Sequence, residues 1–117
     1  MKFALLIHND WPRWAAMTDE EQKAAELTYS TFDADLRAAG FPVGPTIALN
    51  GASRAVVVRG GEAGGQLTTR GPFTEAAEQV GGFWVIDVPD EEVAVHWAQR
   101  LQAAVDEPVE LRTVTEY

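Results

Sequence analysis

Short apolar runs alternate along the chain with long amphipathic segments, and this order predicts a fold that mixes strands and helices. The run "KFALLIH" (2–8) is apolar, brief and followed by turn-forming residues, which is the pattern of a strand. By the same criteria, further strands are predicted at 46–50, 53–59, 66–69, 82–88 and 109–115. The segment 9–17, which follows the first strand, and the segment 60–65, between two later strands, are predicted to be loops.

A long helix is predicted over 19–39, where apolar residues recur at three- and four-residue spacing. Thr18 and Glu21 form a Thr-x-x-Glu capping box at its start, which satisfies two backbone donors reciprocally. Gly40 follows the last periodic residue and permits a left-handed cap. These signals fix both ends of the helix.

A second long helix is predicted to begin after Asp90 and to carry its apolar stripe from Val93 to Val105. Residues 73–80 predict one or two helical turns that stop at a Gly-Gly pair. Two helices are too few to cover both faces of a sheet of four or five strands. The order therefore predicts a ferredoxin-like α+β sandwich, an antiparallel sheet with both helices on one face, as a single domain over 1–117.

Both faces of the central strands, at 2–8, 53–59 and 82–88, are apolar, which is typical of a sheet that is buried on both sides. The helices cover one face, so the other is expected to expose Leu6, Trp84 and Ile86. Such a patch is larger than a soluble monomer usually tolerates. We predict a homodimer that packs open face against open face, like an α+β barrel, with a cleft near the strand ends. The alternative is that the segments 9–17 and 60–73 fold over this face.

Composition narrows the classes of partner and chemistry. Eighteen acidic and nine basic residues give a net charge of −9, which disfavours nucleic-acid binding. The chain has no cysteine, which excludes disulfides, thiolate nucleophiles and cysteine-based metal sites, and fits the reducing cytoplasm. No apolar stretch approaches the ~20 residues of a membrane span, and the first apolar run is too short for a secretory leader.

His8 is the main candidate for catalysis, because an imidazole at the end of a strand can exchange protons near neutral pH. Asp10 lies two residues further on and is expected to orient or pair with it. The alternative is that His8 only ends a strand and bonds a backbone group. His96, the second histidine, falls off the apolar stripe of its helix and is predicted to be solvated. The two histidines lack metal-binding spacing, so neither a metal nor another cofactor is predicted.

Five other residues are candidates for ligand binding. Trp11 and Trp14 follow the first strand and are expected to wall an aromatic pocket, or else to shield the sheet edge. Trp84 is expected in the cleft of the dimer, and Phe73 at the edge of the core. Arg70 is expected to bind a carboxylate ligand or Asp10, although an exposed surface role is the alternative.

Several motifs together resemble the YCII-related proteins over nearly the whole chain. They are "MKFALLIH", a capped helix ending "LRAAG", "RGPFTEAAEQVGGFWVIDV", the helix "VHWAQRL" and the final "VELRTV". The chain more narrowly resembles a subgroup named for an Asp-Gly-Pro-Phe motif, in which Arg70 here replaces the motif's Asp. The resemblance implies a dimeric ferredoxin-like fold and acid–base activity around a His-Asp pair. A guanidinium stays protonated, so Arg70 cannot serve as a general base.

Three interpretations of function follow. The first is a small dimeric YCII-related domain that binds a small molecule in a cleft at the dimer interface. The alternative is a cofactor-free acid–base enzyme, of the isomerase, lyase or oxygenase type, that uses His8 with Asp10. A purely structural or protein-interaction role is the third, since the apolar open face would also suit a protein partner.

Overall fold

Six strands and three α-helices make up the chain in a computed structural model, which describes residues 1–117. In chain order they are β1 (Lys2–Asp10), α1 (Trp11–Ala16), α2 (Asp19–Ala38), β2 (Ile47–Ala48), β3 (Val56–Gly60), β4 (Gln66–Arg70), β5 (Glu78–Asp87), α3 (Glu91–Val105) and β6 (Val109–Thr113). Single 3-10 turns lie at Ala52–Arg54 and Glu62–Gly64.

Four of the strands form one antiparallel sheet in the order β2-β5-β1-β6. Helices α2 and α3 lie together on one of its faces, and the core forms between them and the sheet. Without the hairpin β3–β4, the connectivity is the split βαβ arrangement of the ferredoxin-like fold. The predicted fold class is confirmed.

Trp84 and Ile86 belong to the core, on the face of the sheet that the helices cover. Leu5 pairs with Trp84, and Phe3 pairs with Ile86, so these four side chains point together toward the helices. All four are at most 2% exposed. The prediction that Trp84 and Ile86 lie on the open face with Leu6 is wrong. Alternation shows which residues of a strand share a face, but the register between strands decides which face meets the helices.

The open face is apolar, but its members differ from those predicted. Leu6 pairs with Phe83, and Ile47 of β2 pairs with Phe83 from the other side. Ala4 pairs with Val85 on the same face. These side chains are half-buried, apart from Ile47, which is 37% exposed.

The segment predicted as a loop after β1 contains the helix α1. The side chain of Asp10 caps this helix by accepting a hydrogen bond of 3.1 Å from the backbone N–H of Arg13. Pro12 sits in the first turn, where its missing N–H costs nothing. The sequence carried this signal as an Asp followed two positions later by Pro.

Helix α2 agrees closely with its prediction. It ends one residue earlier than expected, and Thr18 and Glu21 form the predicted capping box with bonds of 3.0 and 3.2 Å. Gly40 has a φ of +91°, the backbone shape that was expected beyond the helix end.

The middle strands stand apart from the main sheet. β3 and β4 pair only with each other, as a two-stranded hairpin that makes no extensive contact with any other element. The radius of gyration is 16.4 Å, whereas a compact chain of this length is expected to have about 13 Å. The prediction that 53–59 belongs to the central sheet is therefore wrong.

The helical turns predicted over 73–80 are absent, because these residues form bends that lead into β5 at Glu78. Gly71 has a φ of +110°, which explains the glycine in this turn. Phe73 is 66% exposed and does not close the core edge as expected. Its ring lies instead under the guanidinium of Arg59, 4.5 Å from the ring centre.

Candidate functional site

A pocket of about 940 Å³ opens on the helix-covered side of the fold, beside the edge of the sheet. Helices α1 and α2, the segment 46–53 and the start of β5 enclose it. The residues that line it include Trp11, Trp14, Tyr29, Asp33 and Trp84. Three of the five residues predicted to bind a ligand, all of them tryptophans, therefore share one cavity.

Helix α1 presents two of these tryptophans. Trp11 and Trp14 are three residues apart, so they lie on neighbouring positions of one helical face. The side-chain amide of Gln22 donates a hydrogen bond of 3.1 Å to the carbonyl of Trp14, which ties the end of α1 to α2. Helix α2 contributes a row of residues at helical spacing to the opposite wall: Gln22, Glu26, Tyr29, Ser30 and Asp33.

Two glycines of β5 make room for the pocket wall. A Cβ atom on Gly81 would overlap the side chain of Asn9 and lie 3.1 Å from the ring of Trp11. A Cβ on Gly82 would lie 2.7 Å from the carbonyl oxygen of Ile47 on β2. The Gly-Gly pair is therefore needed for the close approach of Asn9 and β2 to β5.

A hydrogen-bond network lies behind the pocket wall at the end of β1. The side-chain amide of Asn9 donates to Glu107 Oε1 at 2.9 Å and to the Tyr29 hydroxyl at 3.2 Å. The Tyr29 hydroxyl donates to Glu107 Oε1 at 3.3 Å, and the backbone N–H of Asp10 donates to Glu107 Oε2 at 2.9 Å. Burial, reinforced by the charge of Glu107, raises the pKa of Tyr29 and keeps its hydroxyl a donor.

This network is not predicted from the sequence, because His8 and Asp10, on either side of Asn9, are selected there as the candidate residues. The signal was available. Asn9 continues the alternate inward positions of Phe3, Leu5 and Ile7, and it is only 8% exposed. A polar residue at a core-facing position needs buried hydrogen-bond partners.

Asp33 joins three parts of the molecule at another wall of the pocket. Its carboxylate accepts hydrogen bonds from Arg37 Nε at 3.0 Å, from Thr46 Oγ1 at 2.6 Å and from Trp84 Nε1 at 3.0 Å. The Arg37 guanidinium and the Thr46 hydroxyl lower the pKa of Asp33 to about 2. The carboxylate is therefore ionised and fully engaged within the protein.

The remaining predicted site residues lie outside the pocket. His8 is on the open face, where its Nε2 lies 2.8 Å from Glu110 Oε1. The carboxylate of Asp10 is occupied as the cap of α1. Arg70 and Phe73 are exposed at the base of the hairpin, and Arg70 forms no ion pair with Asp10. The structure thus brings the tryptophans together and leaves these four residues apart from them.

Other features of the structure bear on the chemistry of the site. Trp11 Nε1 is the one buried side-chain polar atom without a hydrogen-bond partner. Nowhere do three or more His, Asp or Glu side chains gather closely enough to hold a metal ion. His96 is exposed, as expected. None of the helices has the length and apolar character needed to cross a bilayer.

Comparison with known families decides the classification. The family model for the YCII-related domain matches residues 1–117, the whole chain described here. The chain belongs to the YCII-related family. No curated protein gives a significant match to this YCII-related chain. The resemblance drawn from the sequence is confirmed for the family, whereas membership of the Asp-Gly-Pro-Phe subgroup stays a prediction.

Proposed function

We propose that this YCII-related chain is a homodimeric binding domain that holds a small, largely apolar molecule in the aromatic pocket. The observation that carries the proposal is the convergence of Trp11, Trp14 and Trp84 on one cavity. Its volume of about 940 Å³ lies within the usual range for small-molecule sites.

The homodimer is supported by two unpartnered apolar surfaces. Leu6, Phe83 and Val85 lie on the open face of the sheet. Val56 and Val58 are more than half exposed on the hairpin. Because a two-stranded hairpin is only marginally stable in water by itself, packing against a second copy would stabilise it.

Arg70 and Phe73 belong to the proposal only through this dimer. Both lie beside the free hairpin and outside the aromatic pocket of their own chain. A ligand cleft at the dimer interface would recruit them if the hairpin of one copy reaches the site of the other. Their role in ligand binding is a proposal of its own, tested by the oligomeric state together with substitution of Arg70.

Binding is tested with the uncharged fluorescent probe N-phenyl-1-naphthylamine, whose emission rises in apolar surroundings. We expect saturable binding, and at least about ten-fold weaker binding by Trp14→Ala, since one aromatic wall is lost. Leu27→Ala is the matched control, because Leu27 is 67% exposed on α2 and does not line the pocket. Absence of saturable binding, or equal binding by folded Trp14→Ala, would contradict the proposal. Sedimentation at micromolar concentration is expected to give twice the chain mass of 12.8 kDa.

A second candidate function is acid–base catalysis at His8. Its supporting observation is the contact of 2.8 Å between His8 Nε2 and Glu110 Oε1, because a carboxylate can hold an imidazole in a fixed orientation. Asp10, the partner expected from the sequence, instead caps α1 through its Oδ1.

Proton abstraction from carbon is tested by following deuterium exchange into a panel of enolisable ketones and lactones by NMR. If His8 is the base, His8→Gln loses the exchange. If Glu110 orients the imidazole, Glu110→Gln lowers the rate about 100-fold while Asp10→Asn retains it. The reverse ranking of these two variants would favour Asp10 as the partner. Equal exchange by His8→Gln would remove the catalytic proposal.

A further inference from the structure

The charged side chains that line the aromatic pocket are of one sign. Glu26 and Asp33 line it, and no lysine, arginine or histidine does. Asp33 is neutralised by its ion pair with Arg37. Glu26 belongs to no ion pair and is exposed at the pocket mouth. The lining therefore carries one uncompensated negative charge.

A second negative charge lies directly behind the wall. Glu107 is held by Asn9, by the Tyr29 hydroxyl and by a backbone N–H, all of them neutral donors, and it has no cationic partner. Asn9 and Tyr29 both line the pocket. The carboxylate of Glu107 is thus one hydrogen bond away from the cavity, where partial burial weakens screening by water.

The remaining walls suit a cation with an apolar body. Trp11, Trp14 and Tyr29 supply aromatic rings to the lining, and the face of such a ring attracts cations through its quadrupole. The chain already uses this interaction elsewhere, since the guanidinium of Arg100 lies 4.5 Å from the ring centre of Trp97. Inside the pocket no side chain of the protein supplies such a cation, and Arg13 of α1 lies nearby without lining it.

We infer that the pocket takes an organic cation, an amine or quaternary ammonium that carries an apolar group. This inference rests on the proposed ligand-binding function and adds the chemical class of the ligand. The ammonium group lies toward Glu26 at the mouth, and the apolar group lies among the tryptophans. An anionic ligand is disfavoured by the carboxylates of Glu26 and Glu107 and by the net charge of −9.

The test compares three probes of nearly equal size, 2-phenylethylammonium, 2-phenylethanol and phenylacetate, by displacement of N-phenyl-1-naphthylamine. We expect the ammonium to bind about five-fold more tightly than the alcohol and phenylacetate to bind most weakly. Glu26→Gln should remove most of the preference for the ammonium over the alcohol. Glu20→Gln, the same change on α2 outside the pocket, should keep the preference.

The outcomes separate the ligand class from the ligand-binding function. If the naphthylamine itself does not bind, the proposed function fails and the inference fails with it. If it binds but the alcohol or phenylacetate displaces it as well as the ammonium does, only the cation class is overturned. An unchanged preference in Glu26→Gln would also overturn the assignment of Glu26 as the group that faces the cation.

Discussion

Trp84 Nε1 donates a hydrogen bond of 3.0 Å to Asp33 Oδ1, which joins the middle of the sheet to α2. The indole is buried in the core at 2% exposure, while the carboxylate lies at the pocket wall. The same oxygen accepts from Thr46 Oγ1, so the segment leading into β2 is tied to the same point. One carboxylate therefore couples core packing to the shape of the pocket.

The first prediction concerns this carboxylate. Asp33→Asn should lower the free energy of unfolding at neutral pH by about 1–2 kcal/mol, because the charge-assisted bonds from Arg37 and Thr46 are weakened. Asp35→Asn is the control. Asp35 pairs with Arg100 at 3.3 Å on an exposed surface, and such pairs contribute little. Urea unfolding of both variants measures the difference.

The lowered pKa of Asp33 also predicts how the stability of the protein depends on pH. The pKa of Asp33 is lowered from 3.8 to about 2 in the folded protein, so folding favours the ionised form. Its contribution is therefore fully present above about pH 4 and is lost as the pH falls through about 2. Urea unfolding at pH 7, 4 and 2 should show the gap between wild type and Asp33→Asn closing only in the lowest range. A gap that persists unchanged at pH 2 would contradict the cause assigned to the pKa.

A second prediction tests the close approach at β5. Gly81→Ala should destabilise the protein by about 2 kcal/mol or more, because the new methyl group overlaps Asn9 and crowds Trp11. Displacing Asn9 should also break its bonds to Tyr29 and Glu107. Gly60→Ala is the matched control, since its Cβ would meet no atom within 4 Å. Thermal unfolding of the two variants should therefore differ sharply, and equal stability would argue against the tight packing at Gly81.

A third prediction concerns Tyr29. In the variant Tyr117→Phe, Tyr29 is the only tyrosine, and ultraviolet titration should give a pKa above 10.0 because burial disfavours the phenolate. Folding stabilises the neutral phenol, so this contribution is present below the unfolded pKa and is lost as the pH rises through the folded one. Adding Glu107→Gln should bring the pKa back part of the way, since the carboxylate adds to the effect of burial. An unchanged pKa of Tyr29 in the Glu107→Gln variant would contradict the hydrogen-bond network.

Local signals predicted the elements of this fold better than they predicted its site. The capping box of Thr18 with Glu21 and the periodic stripe of α3 define two helices that depend on nearby residues alone. The face of Trp84 depends on the register of β5 against β1, which alternation within one strand does not contain. The hairpin β3–β4 looks like a core strand in sequence, because its valines are apolar whether or not anything covers them.

In the candidate site too, contacts between neighbours in the chain were predictable and contacts between distant residues were not. Trp11 and Trp14 were found as a pair because they are neighbours in the chain, although the helix that orients them was missed. Glu107 and Glu110 were not found as partners of Asn9 and His8, since each pair is about 100 residues apart in the sequence. Such contacts follow from the antiparallel pairing of β1 with β6. These contacts could be predicted from the sequence only if the order of the strands in the sheet were already known.

The last prediction concerns the hairpin. Val58→Lys should weaken self-association at least about ten-fold, because Val58 is 57% exposed on a hairpin that makes no extensive contact with the rest of its own chain. The monomer body should stay folded, since the side chain makes no core contact. Leu27→Lys places the same charge on an apolar position of α2 that is 67% exposed, and it should leave association unchanged. Sedimentation of both variants over a concentration series gives the dissociation constant of each dimer. Equal association of the two variants would show that a second copy, if it binds, does not use the hairpin.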